Sequence, residues 1–167
     1  GIAHLNMKIK ITAPEKPGKK TIHLPASKSI SNRALIIRAL CSDGFKINNL
    51  SASNDTKVLL HALDNLSEKI IDIGAAGTAM RFLTAFLSLT PGERILTGSE
   101  RMKQRPVKIL VDILRELGAE IEYLENEGFP PIRIKGTKLN SKPIKIKGNI
   151  SSQFISALLM IAPTLEN

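Results

Sequence analysis

Three stretches of apolar helical periodicity open on small or hydroxyl residues, at Ser27, Gly77 and Ser151. The elements between them recur in the order strand, helix, strand, helix, strand, strand, at a spacing of roughly sixty to seventy residues. Such a recurrence marks duplicated supersecondary units rather than one continuous nucleotide-binding sheet. An α/β (α+β) fold of repeated βαβαββ units is therefore expected, with the three helices parallel and their N-termini converging on one cleft.

The element boundaries follow from local chemistry. Residues 7–12 alternate as a strand, 13–20 are a Pro/Gly/Lys loop, and 21–24 read as a second short strand. A helix over 27–41 carries Ile30, Ala34, Ile37 and Cys41 as its apolar stripe. After a strand over 45–50, Ser53 caps a helix over 54–66, with Asp55 suited to its first turn and Val58, Ala62 and Leu66 on one face. A strand over 70–73 leads to a helix over 77–89 that is apolar nearly all round and so buried between layers. A strand over 94–97 precedes a helix with Pro106 at its first position, a core face of Val107, Leu110, Val111, Leu114 and Leu117, and Gly118 as its stop. Strands over 120–124, 132–135 and 144–147 and a helix over 154–162 complete the chain. The second unit thus spans roughly 77–135, and a third stops after one helix.

Residues 1–6 fit no pattern and are read as additions ahead of a natural start at Met7. Residues 7–24 are N-terminal strands and linker, and 25–167 a lobe of two full units and the start of a third.

The helix starts carry the chemistry. Lys28, Ser29, Asn32 and Arg33 crowd the first turns of one helix, Arg81 those of the next, and Arg101, Lys103 and Arg105 precede a third. A helix N-terminus already bears about half a positive charge, so each cation there costs roughly 0.3 to 1 kcal/mol unless an anion is bound. Backbone donors, hydroxyls and fixed cations together make a phosphate or carboxylate site. The competing reading leaves Lys28 and Arg33 splayed into water.

A net charge of +9 raises the question of nucleic acid, but the chain has no Trp, one Tyr and five Phe, too few rings for stacking on single strands. The positive field suits small anionic substrates better. No apolar run approaches the roughly 18 residues of a membrane span, and no secretory h-region is visible, so a cytoplasmic setting is expected. The lone Cys41, on an apolar stripe, reads as a packed core thiol. His4, His23 and His61 show no metal-ligand spacing, and no metal or other cofactor is expected.

Four motifs in order carry a specific resemblance: Leu24 to Arg33 (LPASKSISNR), Gly77 to Arg81 (GTAMR), Leu96 to Gly98 followed by Arg101 to Pro106 (RMKQRP), and Ser151 to Phe154 (SSQF). From Met7 to Asn167 the chain resembles the N-terminal portion of the 5-enolpyruvylshikimate-3-phosphate synthase family. The resemblance implies one lobe of the family's inside-out α/β barrel. It also implies transfer of the enolpyruvyl group from phosphoenolpyruvate to the 5-hydroxyl of shikimate 3-phosphate, with release of phosphate and without a metal. Carried over, Lys28 contacts both substrates and is the one motif residue able to donate a proton. Ser29, Arg33, Ser151, Ser152 and Gln153 hold shikimate 3-phosphate; Gly77, Arg105, Lys28 and Gln153 line the phosphoenolpyruvate site.

The chain departs from the pattern at Ala26, Ala75 and Phe82, where the family commonly has Gly, Asn and Pro. The family's acid/base carboxylates lie in a C-terminal half with no counterpart here. Asp55, Asp64 and Asp112 read as solvated helix-face acids, so the chain alone is expected to be catalytically silent and to need that half as partner. Two alternatives stand. One is the sister family acting on UDP-N-acetylglucosamine, which usually has a reactive Cys where this chain has Arg101 to Arg105. The other is a basic RNA-binding module, which predicts exposed aromatics.

Overall fold

The computed structural model describes residues 10–13, 18–19 and 21–165. Its elements are helices α1 (Lys28–Leu40) and α2 (Asn54–Asp64), strand β1 (Ile70–Asp72), helix α3 (Gly77–Leu89) and strand β2 (Glu93–Thr97). Helix α4 (Lys108–Glu116), strands β3 (Glu120–Tyr123) and β4 (Ile132–Lys135) and helix α5 (Ser152–Ile161) follow, with short 3-10 turns at Met102–Gln104 and Ala162–Thr164.

The four strands form one sheet in the order β1-β2-β4-β3, with β1 parallel to β2 and the other pairs antiparallel. Alternation sorts its faces. Ile71, Leu96, Ile121, Ile132 and Ile134 turn into the core. On the other face Lys135 pairs with Glu120 at 3.0 Å, and Arg133 bridges Glu122 and Glu93. Exposed pairs of this kind contribute about 0–1 kcal/mol each, so the inward face carries the stability.

Helix α3 is the centre of the molecule. Eleven of its thirteen residues are buried, as its all-round apolar sequence requires. The sheet and α4 cover one side of it, and α1, α2 and α5 the other. Its hydroxyls are satisfied internally: Thr84 and Ser88 donate to the Met80 and Thr84 carbonyls at 2.6 and 2.7 Å. Truncating a fully buried side chain such as Leu83 here would cost about 3–4 kcal/mol. Where the chain leaves β4 it passes over the end of α3: Gly136 N–H donates to the Gly92 carbonyl at 2.8 Å, and a β-carbon at Gly136 would overlap the Thr90 carbonyl. Only glycine fits that crossing.

Helix α4 buries Val107, Leu110, Val111, Leu114 and Leu117 as the periodicity requires, but it starts at Lys108, with Pro106 two residues outside. The expected stripe of α1 is out of phase. Ile30 and Ile37 are 71% and 44% exposed, whereas Ser31, Asn32, Leu35 and Ile36 are buried. Hydrogen bonds set that phase: Ser31 Oγ accepts from Ser51 N–H at 2.9 Å, and Asn32 Oδ1 accepts from Thr56 Oγ1 at 2.8 Å. Cys41, on the outward stripe, is exposed rather than a core thiol.

Residues 21–24, 45–50 and 144–147 form no strands, nor do 10–12; residues 1–6 and 7–9 lie outside the described ones. A strand needs a paired neighbour to satisfy its backbone, and among the described residues these segments join no sheet. Ile22 and Leu24 are 79% and 82% exposed, while Ile47, Leu50 and Ile144 pack on the core without pairing. Among the described residues one βαβαββ unit is complete, β1 to β4. It begins at Ile70 rather than Gly77, and α1, α2 and α5 pack on it as helices without strands of their own.

The three long-motif helices run parallel. Side chains in the first two turns of α5 meet those of α1 and α3, while the opposite ends of α1 and α3 share a groove with Thr164 and Leu165.

Candidate functional site

The N-terminal ends of α1, α3 and α5 form one polar edge of the helix layer. Each start is built differently. Ser27 Oγ caps α1 by accepting from Ile30 N–H at 3.3 Å, and Ser151 Oγ caps α5 by accepting from Gln153 N–H at 3.3 Å. Helix α3 has Ala76 at its cap and no side-chain acceptor. Its first amides are therefore left for something else.

Cations gather where that cap is missing. A β-carbon on Gly77 would overlap Arg105 Nη1 and lie 3.2 Å from Arg81 Nη1, so both guanidinium groups hang over Gly77. Arg81 Nη1 donates to Gln153 Oε1 at 2.7 Å and to the Gly77 carbonyl at 3.3 Å, and Gln153 Nε2 donates to Thr78 Oγ1 at 3.1 Å. The Arg81 guanidinium also lies 5.2 Å from the centroid of Phe154. Burial, and then the like charge of Arg105, pull Arg81 below its ordinary pKa. Two cations this close without a carboxylate between them favour an anion at Gly77.

Arg33 ties α1 to the rest. It donates to the Ser29 carbonyl and hydroxyl, reaches Ser156 Oγ on α5 at 2.9 Å, and stacks 5.5 Å from the centroid of Phe82 on α3. Phe82 thus supplies a ring for Arg33.

The expected residues sort into three groups. Gly77, Arg105 and Gln153 are brought together, with Ser151 linked to them through the Gln153 amide. Ser29 and Arg33 form a second group, joined to α5 by Ser156. Lys28 is half-exposed, as the competing reading had it, but it is paired: its Nζ lies 3.2 Å from Asp55 Oδ2. Ser152, the first residue of α5, is exposed at the same edge.

Sequence reasoning missed Asp55, which it placed on a solvated face. Its partner is 27 residues away, and the Asn32–Thr56 and Ser31–Ser51 bonds create the proximity by laying the start of α2 beside α1. Thr78 and Ser156 were missed for the same reason. Arg81 had a signal, as a cation at the wrong end of a helix. Among the described residues no three His, Cys, Asp or Glu side chains cluster to hold a metal, and no helix is long and apolar enough to cross a membrane. A groove of about 600 Å³ lies at the opposite end of the layer, lined by Leu40, Leu66, Phe86 and Leu89, away from the cations.

Parallel helices packed on a mixed sheet, with arginines and hydroxyls at their shared N-terminal edge, define an α/β protein with one cationic, hydroxyl-bearing edge. Comparison with known proteins makes this specific. The model of the EPSP synthase (3-phosphoshikimate 1-carboxyvinyltransferase) family matches residues 12–71 and 67–167, and the chain belongs to that family. It is 60% identical over 161 residues to the 3-phosphoshikimate 1-carboxyvinyltransferase of Bacteroides fragilis strain YCH46, covering 96% of this chain and 39% of that one. It is 46% identical over 190 residues to the Haemophilus influenzae strain PittEE enzyme of the same name, covering 95% and 43%. The solved EPSP synthase from Acinetobacter baumannii shares the fold, with a TM-score of 0.78 at 22% identity over 87% of this chain and 38% of that one. The chain therefore spans about two fifths of the length of these relatives. The matched family is the one the four motifs resemble.

Proposed function

We propose that this chain supplies the N-terminal lobe of an enzyme of the cytoplasm that transfers the enolpyruvyl group from phosphoenolpyruvate to the 5-hydroxyl of shikimate 3-phosphate. A second, C-terminal lobe completes the site. The observation that carries this reading is the pair Arg105 and Arg81 over Gly77 at the uncapped start of α3, with Gln153 of α5 beside them.

In this reading Arg105, Lys28 and the α3 amides take the charge of phosphoenolpyruvate, while Ser29, Arg33, Ser151 and Ser152 hold shikimate 3-phosphate. Gln153 stands between the two. Bringing two polyanions together needs such a surplus of donors, because their mutual repulsion would otherwise keep the reacting atoms apart. The acceptor hydroxyl loses its proton as its oxygen bonds to the enol carbon, and the methylene gains a proton to become a methyl; the methyl then gives up a proton as the bond to phosphate breaks, which restores the double bond. Lys28 is the proton donor that this lobe offers, held by Asp55 until the ligands arrive.

The test is calorimetry of this chain with shikimate 3-phosphate. Binding that is lost in Arg33→Ala and weakened in Ser152→Ala supports the reading; an affinity indifferent to both substitutions refutes it.

A further inference from the structure

We propose that Arg81 is a positioning residue that fixes which end of the Gln153 amide faces the substrates. The proposal rests on the functional reading above and deepens it.

Gln153 has one acceptor end and one donor end, and the two differ in what they can hold. Arg81 has only donors, so the neighbour of its Nη1 must be the carbonyl oxygen of the amide, at 2.7 Å. The amino end then donates one N–H to Thr78 Oγ1 at 3.1 Å, and its second N–H has no protein acceptor among the described residues. A flip would set Nε2 against a guanidinium and bury a donor facing a donor. Gln153 is thereby restricted to offering a donor, the polarity that an anion or an electron-rich oxygen requires. Without Arg81 the amide could turn its oxygen outward and repel the same ligand.

Arg81 is itself held firmly enough for this task. Its side chain is half-buried between Phe154 and the first turn of α3, its Nε is buried without a partner, and Nη1 carries both of its hydrogen bonds. Arg81 and Thr78 lie on α3 and Gln153 on α5, so the arrangement also locks the two helix starts to each other. Charge alone does not explain it, because Arg105 already supplies a guanidinium over Gly77.

A double-substitution cycle read by calorimetry with shikimate 3-phosphate separates positioning from charge, using Arg81→Lys to keep the charge constant. Arg81→Lys is expected to weaken binding about tenfold in the parent chain and less than twofold in a Gln153→Ala background. Equal losses in both backgrounds would overturn the proposal. Thr78→Val gives the same cycle from the other end of the amide and replaces Arg81→Lys if that variant does not fold. In the unliganded chain, the side-chain amide protons of Gln153 should show a nuclear Overhauser contact to the Thr78 methyl, lost in Arg81→Lys. Absence of that contact in the parent chain, with shikimate 3-phosphate binding intact, overturns the positioning role alone. Absence of binding in the parent chain overturns the functional reading, and with it this role.

Discussion

Lys28 Nζ and Asp55 Oδ2 lie 3.2 Å apart, joining the first residue of α1 to the first turn of α2. The pair is part-exposed, with side-chain exposures of 52% and 26%, so its own contribution to stability is small. Its consequence is for binding. If Lys28 takes phosphate as proposed, the carboxylate occupies that cation and an anion has to compete with it.

Asp55→Asn is therefore expected to tighten the binding of inorganic phosphate to this chain by about two- to fivefold, with the gain shrinking as salt is raised. Calorimetry at two ionic strengths measures this. Weaker binding would mean that Asp55 holds Lys28 in its binding position rather than competing for it.

Gly77→Ala should separate the two substrates. The added methyl meets the far end of Arg105, a flexible side chain that can move away, so the fold should survive. The guanidinium then leaves the uncapped start of α3. Phosphoenolpyruvate affinity should fall about tenfold, while shikimate 3-phosphate, which the proposal assigns to Arg33 and Ser152, should bind within about twofold of the parent. Parallel titrations check this, and equal losses for both ligands would merge the two subsites into one.

Tyr123 gives a prediction for alkaline pH. Burial is the main cause that pushes its phenol up to about 12 from 10.0, against the opposing pull of Arg115, whose guanidinium lies 5.0 Å from the ring centroid. The unfolded chain releases this proton near the ordinary value and the native chain keeps it. The stabilisation is complete below pH 10.0 and is lost as pH rises towards about 12. With one Tyr and no Trp in the chain, tyrosinate absorbance reads this group alone. Its hydroxyl is buried with no hydrogen-bond partner, so Tyr123→Phe should keep stability at neutral pH and flatten the alkaline loss. A native titration at the ordinary value would contradict it.

What the sequence made legible follows from how each element is stabilised. Helices α3 and α4 were readable because their burial is set by their own periodicity: α3 is apolar all round, and the five core residues of α4 fall on one face. The cap Ser53 was readable because it acts within three residues, whereas the last helix starts at Ser152, two residues ahead of the expected Phe154, with Ser151 as its cap. The phase of α1 was not, because polar bonds to Ser51 and Thr56 turn Ser31 and Asn32 inward in place of Ile30 and Ile37. The strands expected over 45–50 and 144–147 have alternating sequence but join no sheet among the described residues, and pairing is a tertiary property. At the site, the motifs gave Gly77, Arg105, Gln153 and Lys28. Thr78, Ser156 and Asp55, which bond to Gln153, Arg33 and Lys28, were not legible as partners, because each bond spans 27 or more residues of sequence.

The most direct test of the account is phosphate release from shikimate 3-phosphate and phosphoenolpyruvate. It is measured with this chain alone and again after adding the separately expressed C-terminal part of the Bacteroides fragilis relative. On the proposed reading the lobe attracts both anions, and closure of a second lobe excludes water and aligns the reacting atoms, an effect that can amount to several kcal/mol of barrier. The account predicts no turnover by the chain alone and turnover on mixing, abolished by Lys28→Ala. Turnover by the chain alone would contradict it.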